Sequence, residues 1–226
     1  MAWGKQHEFK LPNSRERVAV FGRTGSGKTV FMTFLLSRAS ITERPWIIID
    51  HKNDDYLTKL PYAEQIKLGT LPKYPGLYIV KPSFQQDEEV DAYLHSILRK
   101  GNIGVFTDEG SSIKQAEPRF TGLKSIFAQG RSKRTPILFA TQRPAWINKS
   151  VLSESDYFAC FHLQTQQDKD RVHDFMTILD EETPLDRFHC HWYDVKQDRY
   201  FRLSPVNEQE TLQVLEDRLK PDRCFL

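Results

Sequence analysis

Gly22-Arg-Thr-Gly-Ser-Gly-Lys-Thr29 lies between the apolar run Arg17-Val-Ala-Val-Phe21 and a helical pattern running from Lys28 to Ser40. It matches GxxxxGK[ST] in full. A buried strand before it and an amphipathic helix after it form the context in which this string wraps phosphate. Glycines at positions 22, 25 and 27 let backbone N–H groups turn inward around an anion with no side chains in the way. Arg23, Thr24 and Ser26 complete the loop, and the helix starting near Lys28 adds the positive end of its dipole. Lys28 is expected to reach the β- and γ-phosphates of ATP, and the Thr29 hydroxyl to ligate Mg2+.

Outward from this loop, apolar runs alternate with helical patterns, the arrangement of a parallel sheet flanked by helices. Strands are expected at Trp46–Asp50, Gly76–Val80, Ile103–Thr107, Pro136–Thr141 and Tyr157–Leu163. Asp87–Lys100 reads as a helix, with acids in its first turn, Arg99-Lys100-Gly101 at its end and a stripe of Val90, Tyr93, Leu94, Ile97 and Leu98. Further helices are expected within Arg119–Gly130, from Leu163 to about Leu179, and over Glu208–Leu219. Val30, Phe31, Phe34 and Leu35 are placed on the inner face of the first helix. Phe188–Asp194 and Arg199–Leu203 alternate around a polar turn and read as an antiparallel hairpin at a sheet edge. One domain over 1–226, with its core over about 17–205, accommodates all of this.

The 226 residues, 39% hydrophobic and 27% charged, have the profile of a globular chain. No apolar run approaches the roughly 20 residues of a membrane helix, and the opening MAWGKQHEFK is too polar for a secretory signal. Net charge is +2 and carries no statement about nucleic acid. Cys160, Cys190 and Cys224 are odd in number and widely spaced, which argues against a disulfide framework and fits a reducing compartment. His189-Cys190-His191 resembles a metal cluster only superficially, because neighbours on a strand face opposite sides.

Two further strings bear on the chemistry. Ile103-Gly-Val-Phe-Thr-Asp108-Glu109 ends a strand in paired acids. Asp108 is placed to hold the magnesium shell, and Glu109 to polarise an attacking water, which points to hydrolysis rather than transfer to a small acceptor. Ile137-Leu-Phe-Ala-Thr-Gln142-Arg-Pro144 ends a strand in an amide. As both donor and acceptor, Gln142 can touch γ-phosphate and water together.

GRTGSGKT, FTDEG and FATQRP, in this order and spacing, resemble the FtsK–HerA superfamily of DNA-pumping ATPases, and Asp50-His-Lys52 resembles the Asp-x-Lys turn of these proteins. The resemblance runs from about Val18 to Leu163. It implies a RecA-like, ASCE-type P-loop fold. A motor domain of this length is similar to the genome-packaging ATPases of tailless, membrane-containing double-stranded DNA viruses of the tectivirus type. That likeness implies a hexameric ring driving double-stranded DNA, without sequence specificity, into a preformed capsid. Capsid or vertex membrane proteins would be its partners, and the virion's packaging vertex and the host cytoplasm its locations. A conjugation or secretion coupling ATPase and a non-motor P-loop enzyme are the alternatives.

A ring motor implies a charge supplied across the subunit interface. Arg131 and Arg134 are the candidates for this arginine finger, with Arg119 and Arg143 behind them. The same basic cluster could instead contact DNA phosphate. Lys52, Lys59 and the loop Ala145–Ser153, with Trp146 and Lys149, are candidate pore-facing elements.

Overall fold

The computed structural model describes residues 10–115, 117–176 and 185–220. Within them the chain runs β1 (Arg17–Phe21), α1 (Lys28–Arg38), β2 (Pro45–Ile49), α2 (Asp55–Thr58), β3 (Ala63–Gln65), β4 (Gly76–Val80), α3 (Asp87–Lys100) and β5 (Gly104–Thr107). It continues through α4 (Gly122–Gln129), β6 (Ile137–Thr141), α5 (Lys149–Leu152), β7 (Tyr157–Cys160), α6 (Gln166–His173), β8 (Cys190–Asp194), β9 (Arg199–Leu203) and α7 (Glu208–Leu219). The strands form one nine-stranded sheet in the order β3-β4-β2-β5-β6-β1-β7-β8-β9. From β3 to β7 all neighbours are parallel; β8 and β9 are antiparallel. This is the α/β architecture expected, with its antiparallel strands at one edge.

The central strands are buried along their whole length because helices cover both faces. Alternate residues of β1 divide between two cores. Ala19 and Phe21 face the side packed by α3, α4 and α5, whereas Val18 and Val20 face α1 and α7. The stripe expected on α3 is the one buried. On α1 the buried set is Phe31, Met32, Leu35 and Leu36, while Val30 and Phe34 are only half-buried. The burial is displaced because α7 packs along this helix, where the Arg218 guanidinium donates to the Ser37 carbonyl at 2.6 Å.

Other departures have local causes. The strand expected from Phe188 begins at Cys190, since Phe188 has a left-handed backbone (φ 64°) that a strand does not admit. The helix expected to about Leu179 is observed over Gln166–His173, and positions 177–179 lie outside the described residues. Cys224 lies outside them as well; Cys160 and Cys190 are buried free thiols. Among the described residues no helix is long and apolar enough to cross a membrane.

Candidate nucleotide site

Five adjacent parallel strands, in the order β2-β5-β6-β1-β7, bring their C-terminal ends to one edge of the sheet. The ends of β2, β5, β6 and β1 carry candidate residues, so register alone gathers residues far apart in the chain. The phosphate loop leaves β1 pinned on both sides: Gly22 N–H donates to the Thr141 carbonyl of β6 at 3.3 Å, and Arg23 N–H to the His162 carbonyl beyond β7 at 2.8 Å. A Cβ on Gly22 would stand 2.6 Å from Cβ of Phe161, so no larger residue fits there. Gly27, the cap of α1, has φ 101°, a conformation side chains disfavour.

The loop's buried polar groups suit it to hold an anion. The Ser26 hydroxyl is buried without a partner, and the first N–H groups of α1 have none within the helix. Lys28 folds back so that its Nζ donates to the Arg23 carbonyl at 3.0 Å. Burial pushes the Lys28 ammonium down to about 8, although Asp108 and Glu109 oppose the shift. A phosphate would reverse it by favouring the charged form.

Thr29 Oγ1 donates to Asp108 Oδ1 at 2.7 Å. Burial raises the Asp108 carboxyl above its ordinary range, partly offset by the Thr29 hydroxyl and by Lys52 and Lys28. A hydroxyl beside a carboxylate is the oxygen-donor pair that a hard divalent cation takes. Among the described residues no group of three or more His, Cys, Asp or Glu side chains stands ready to hold a metal. Thr29 and Asp108 are the residues here that could hold a divalent cation.

Glu109 is buried and heavily hydrogen-bonded. Its Oε1 accepts from Ser111 Oγ at 2.6 Å, Thr141 Oγ1 at 3.0 Å and Gln142 N–H at 3.2 Å, and its Oε2 from Lys52 Nζ at 2.8 Å. Burial alone would raise this carboxyl, but the bonds from Lys52 and Ser111 outweigh it and hold it below the ordinary carboxylate range. The close fit continues one residue on, where a Cβ on Gly110 would fall 1.8 Å from the Phe139 ring. Gln142, ending the strand between the acids and the phosphate loop, accepts at Oε1 from Thr24 Oγ1 at 2.6 Å. It touches the loop through its side chain and Glu109 through its backbone.

The arginines divide sharply. Arg119 pairs with Glu117 at 2.8 Å and Glu88 at 2.7 Å, and Arg143 lies 3.1 Å from the buried Asp168 and over the Trp146 ring. Arg131 and Arg134 are exposed in the turn between α4 and β6, and among the described residues neither has an acidic partner. That turn leads into the N-terminal end of β6, one strand length, roughly 15 Å, from Gln142. The structure does not bring these two arginines to their own phosphate loop. Trp146 is 65% exposed and Lys149 is paired with Asp174 at 2.9 Å.

A phosphate loop and an acid-ending strand separated by one strand that ends in an amide define a P-loop NTPase of the water-activating kind. The chain matches the family described as "Helicase HerA, central domain" over residues 12–115. Over 208 residues it is 35% identical to the DNA packaging ATPase P9 of Enterobacteria phage PRD1, covering 88% of this chain and 90% of the phage protein. The chain belongs to this family of HerA/FtsK-type packaging ATPases. Its fold is also that of the genome packaging NTPase B204 of Sulfolobus turreted icosahedral virus 2. In its AMPPCP complex B204 gives a TM-score of 0.66 at 20% identity, covering 86% of this chain and 100% of B204. The conjugation coupling protein TcpA of pCW3 gives 0.56 at 13% identity, over 90% of this chain and 65% of TcpA.

Proposed function

We propose that this chain is the ATP-hydrolysing motor that drives double-stranded viral DNA into a preformed capsid, working as a homo-oligomeric ring, hexameric by family resemblance. The observation that carries the reading is that Gln142 bonds the phosphate loop through Thr24 and Glu109 through its own N–H, which sets a water-activating carboxylate beside a phosphate-sensing amide. Likeness to TcpA is a likeness of fold, shared by packaging and conjugation motors alike; the P9 relative favours packaging.

In this reading the loop's N–H groups and Lys28 hold the triphosphate, and Thr29 with Asp108 hold Mg2+. The ion supplies charge neutralisation on the phosphate oxygens. Glu109 takes a proton from water as the water oxygen bonds to the γ-phosphorus and the β–γ bridging bond breaks, releasing ADP. Gln142 orients that water and relays the state of the γ-phosphate to the loop through Thr24. Arg131, with Arg134 as second candidate, extends into the neighbouring subunit's site, since neither is near its own. DNA is gripped through its phosphates rather than read through its bases. The partners are capsid or vertex membrane proteins, and the places of action the packaging vertex of the virion and the host cytoplasm.

The test is ATP turnover as a function of protein concentration, with and without double-stranded DNA. Turnover should rise with assembly and rise again with DNA; a monomer indifferent to DNA would be a non-motor P-loop enzyme. Glu109→Gln should keep nucleotide binding and lose hydrolysis by about a hundredfold or more.

A further inference from the structure

A phosphate loop holds only part of a nucleotide, and the sheet order gives the direction in which the remainder leaves. Thr29 with Asp108, and Gln142 with Thr24 and Glu109, set the γ-phosphate end toward β5 and β6. Sugar and base then leave across β1, toward β7 and β8. Two clefts on that side are lined by Phe188. One, of about 610 Å³, is polar, with Arg23, Ser26, His162 and Arg187 in its walls. The other, of about 170 Å³, is mainly apolar and is lined by Gly27, Val30, Phe161 and Val206. A cleft for a whole drug-sized molecule measures roughly 300 Å³ or more, so the apolar one is sized for a single flat group.

Phe188 is held between these clefts against its own backbone preference. His189 N–H donates to the Asp186 carbonyl at 3.1 Å and closes a turn in which Phe188 is the third residue, with φ 64°. Glycine and asparagine suit that position; a bulky side chain persists there only where its surroundings over-determine it. Here His162 Nε2 donates to the Leu185 carbonyl at 2.6 Å, and Arg202 Nη2 to Asp186 Oδ2 at 2.9 Å, fastening the turn to β7 and β9. The ring is 38% exposed and borders the phosphate loop so closely that a Cβ on Gly27 would lie 3.3 Å from Phe188 Cδ1. The Arg187 guanidinium stacks on the ring, 4.6 Å from its centre. Arg187 lines only the polar cleft, so the ring is open to a ligand from the apolar one.

We propose that the apolar cleft is the nucleobase subsite and that Phe188 is its specificity-determining residue, stacking on the base and favouring purine over pyrimidine nucleotides by stacking area. Stacking strength grows with the π-face, and a purine offers the larger one to the ring and to the apolar walls. The inference deepens the proposed reading and rests on Gly22–Thr29 holding the triphosphate. It also accounts for a phenylalanine at a turn position that glycine would fill without strain.

The experiment measures, by titration calorimetry with Mg2+, the affinities of ATP, CTP and inorganic tripolyphosphate, which carries the phosphates without a base. Wild type is compared with Phe188→Gly, Phe188→Trp, Val206→Trp and Lys28→Ala. Glycine suits the left-handed backbone, so Phe188→Gly removes the ring without straining the turn. It should weaken ATP about tenfold, bring the ATP-to-CTP affinity ratio toward one and leave tripolyphosphate binding as in wild type. Phe188→Trp should keep both the ATP affinity and the ratio. Val206→Trp fills the apolar cleft with Phe188 intact and should weaken ATP while sparing tripolyphosphate. Unchanged ATP affinity in Phe188→Gly overturns the stacking role, and equal losses for ATP and tripolyphosphate overturn it in favour of a ring that only props the loop. Unchanged ATP affinity in Val206→Trp overturns the subsite by placing the base in the polar cleft. Failure of the underlying site reading looks different: Lys28→Ala would then bind tripolyphosphate like wild type, and the subsite would fall with it.

Discussion

The two ends of β6 differ in what the chain provides for them. At the C-terminal end, Gln142 meets Thr24 of the phosphate loop and Glu109, and Lys28, Lys52, Asp108 and Glu109 each have a partner from their own chain. At the N-terminal end, Arg131 and Arg134 stand exposed with no acid among the described residues to receive them. A parallel sheet makes this asymmetry unavoidable, since all its C-terminal ends fall on one edge and only that edge becomes a pocket. The contrast teaches that one end gathers side chains into a site, while the other leaves two arginines exposed, which the proposed ring would use in a second copy. Arg119 and Arg143 show the alternative: arginines already committed to their own chain's acids.

The strongest way to break this comparison lies at the complete end. Lys28→Ala should bring turnover to background and remove most nucleotide affinity, checked by phosphate release and equilibrium binding; near-normal turnover would mean that the pocket is not the reaction site. At the open end, Arg131→Ala should leave nucleotide binding intact and cost about a thousandfold in assembled turnover. Mixing it with Glu109→Gln subunits, which retain the arginine, should recover part of the rate. If neither that mixture nor its Arg134→Ala counterpart recovers any, the open end serves DNA or nothing.

The smallest effect is in pH. Lys28 stands at about 8 against an ordinary 10.5 because it is buried, and a bound triphosphate favours its charged form. Binding should therefore take up a proton above pH 8, and affinity should weaken as pH rises through 8, by about tenfold at pH 9. Titration calorimetry in buffers of different ionisation enthalpy reads the proton directly. The same shift has the opposite sign for folding of the free chain: from this group, stability is fully present above 10.5 and is lost as pH falls through 8.

Legibility in the sequence followed the range of the interactions. The phosphate loop is a string because wrapping one phosphate takes consecutive N–H groups, and Asp108-Glu109 is a string because both acids leave one strand. The stripe of α3 was readable because its period is helical and a single face is buried. β3, Ala63-Glu-Gln65, was not: an edge strand of three largely exposed residues has no apolar signal. Nor was α5, whose short helix rests on its Asn148 cap rather than on any periodicity. Lys52 reads from the sequence as part of the Asp50-His-Lys52 turn and as a candidate pore-facing lysine, and no local signal ties it to Glu109, 57 residues away.

By itself, then, the sequence determined the nucleotide chemistry, the order of the strands along the chain and the family, all of which are carried by contiguous residues or by local period. The tertiary structure alone decided which of these residues meet. Thr24 with Gln142 spans 118 residues and Lys52 with Glu109 spans 57, and both contacts exist only because the sheet is ordered β2-β5-β6-β1. That order is set by burying two apolar faces at once, a property of the whole core. The same order sends Arg131 to the far end of β6, a strand length from the phosphate loop of its own chain.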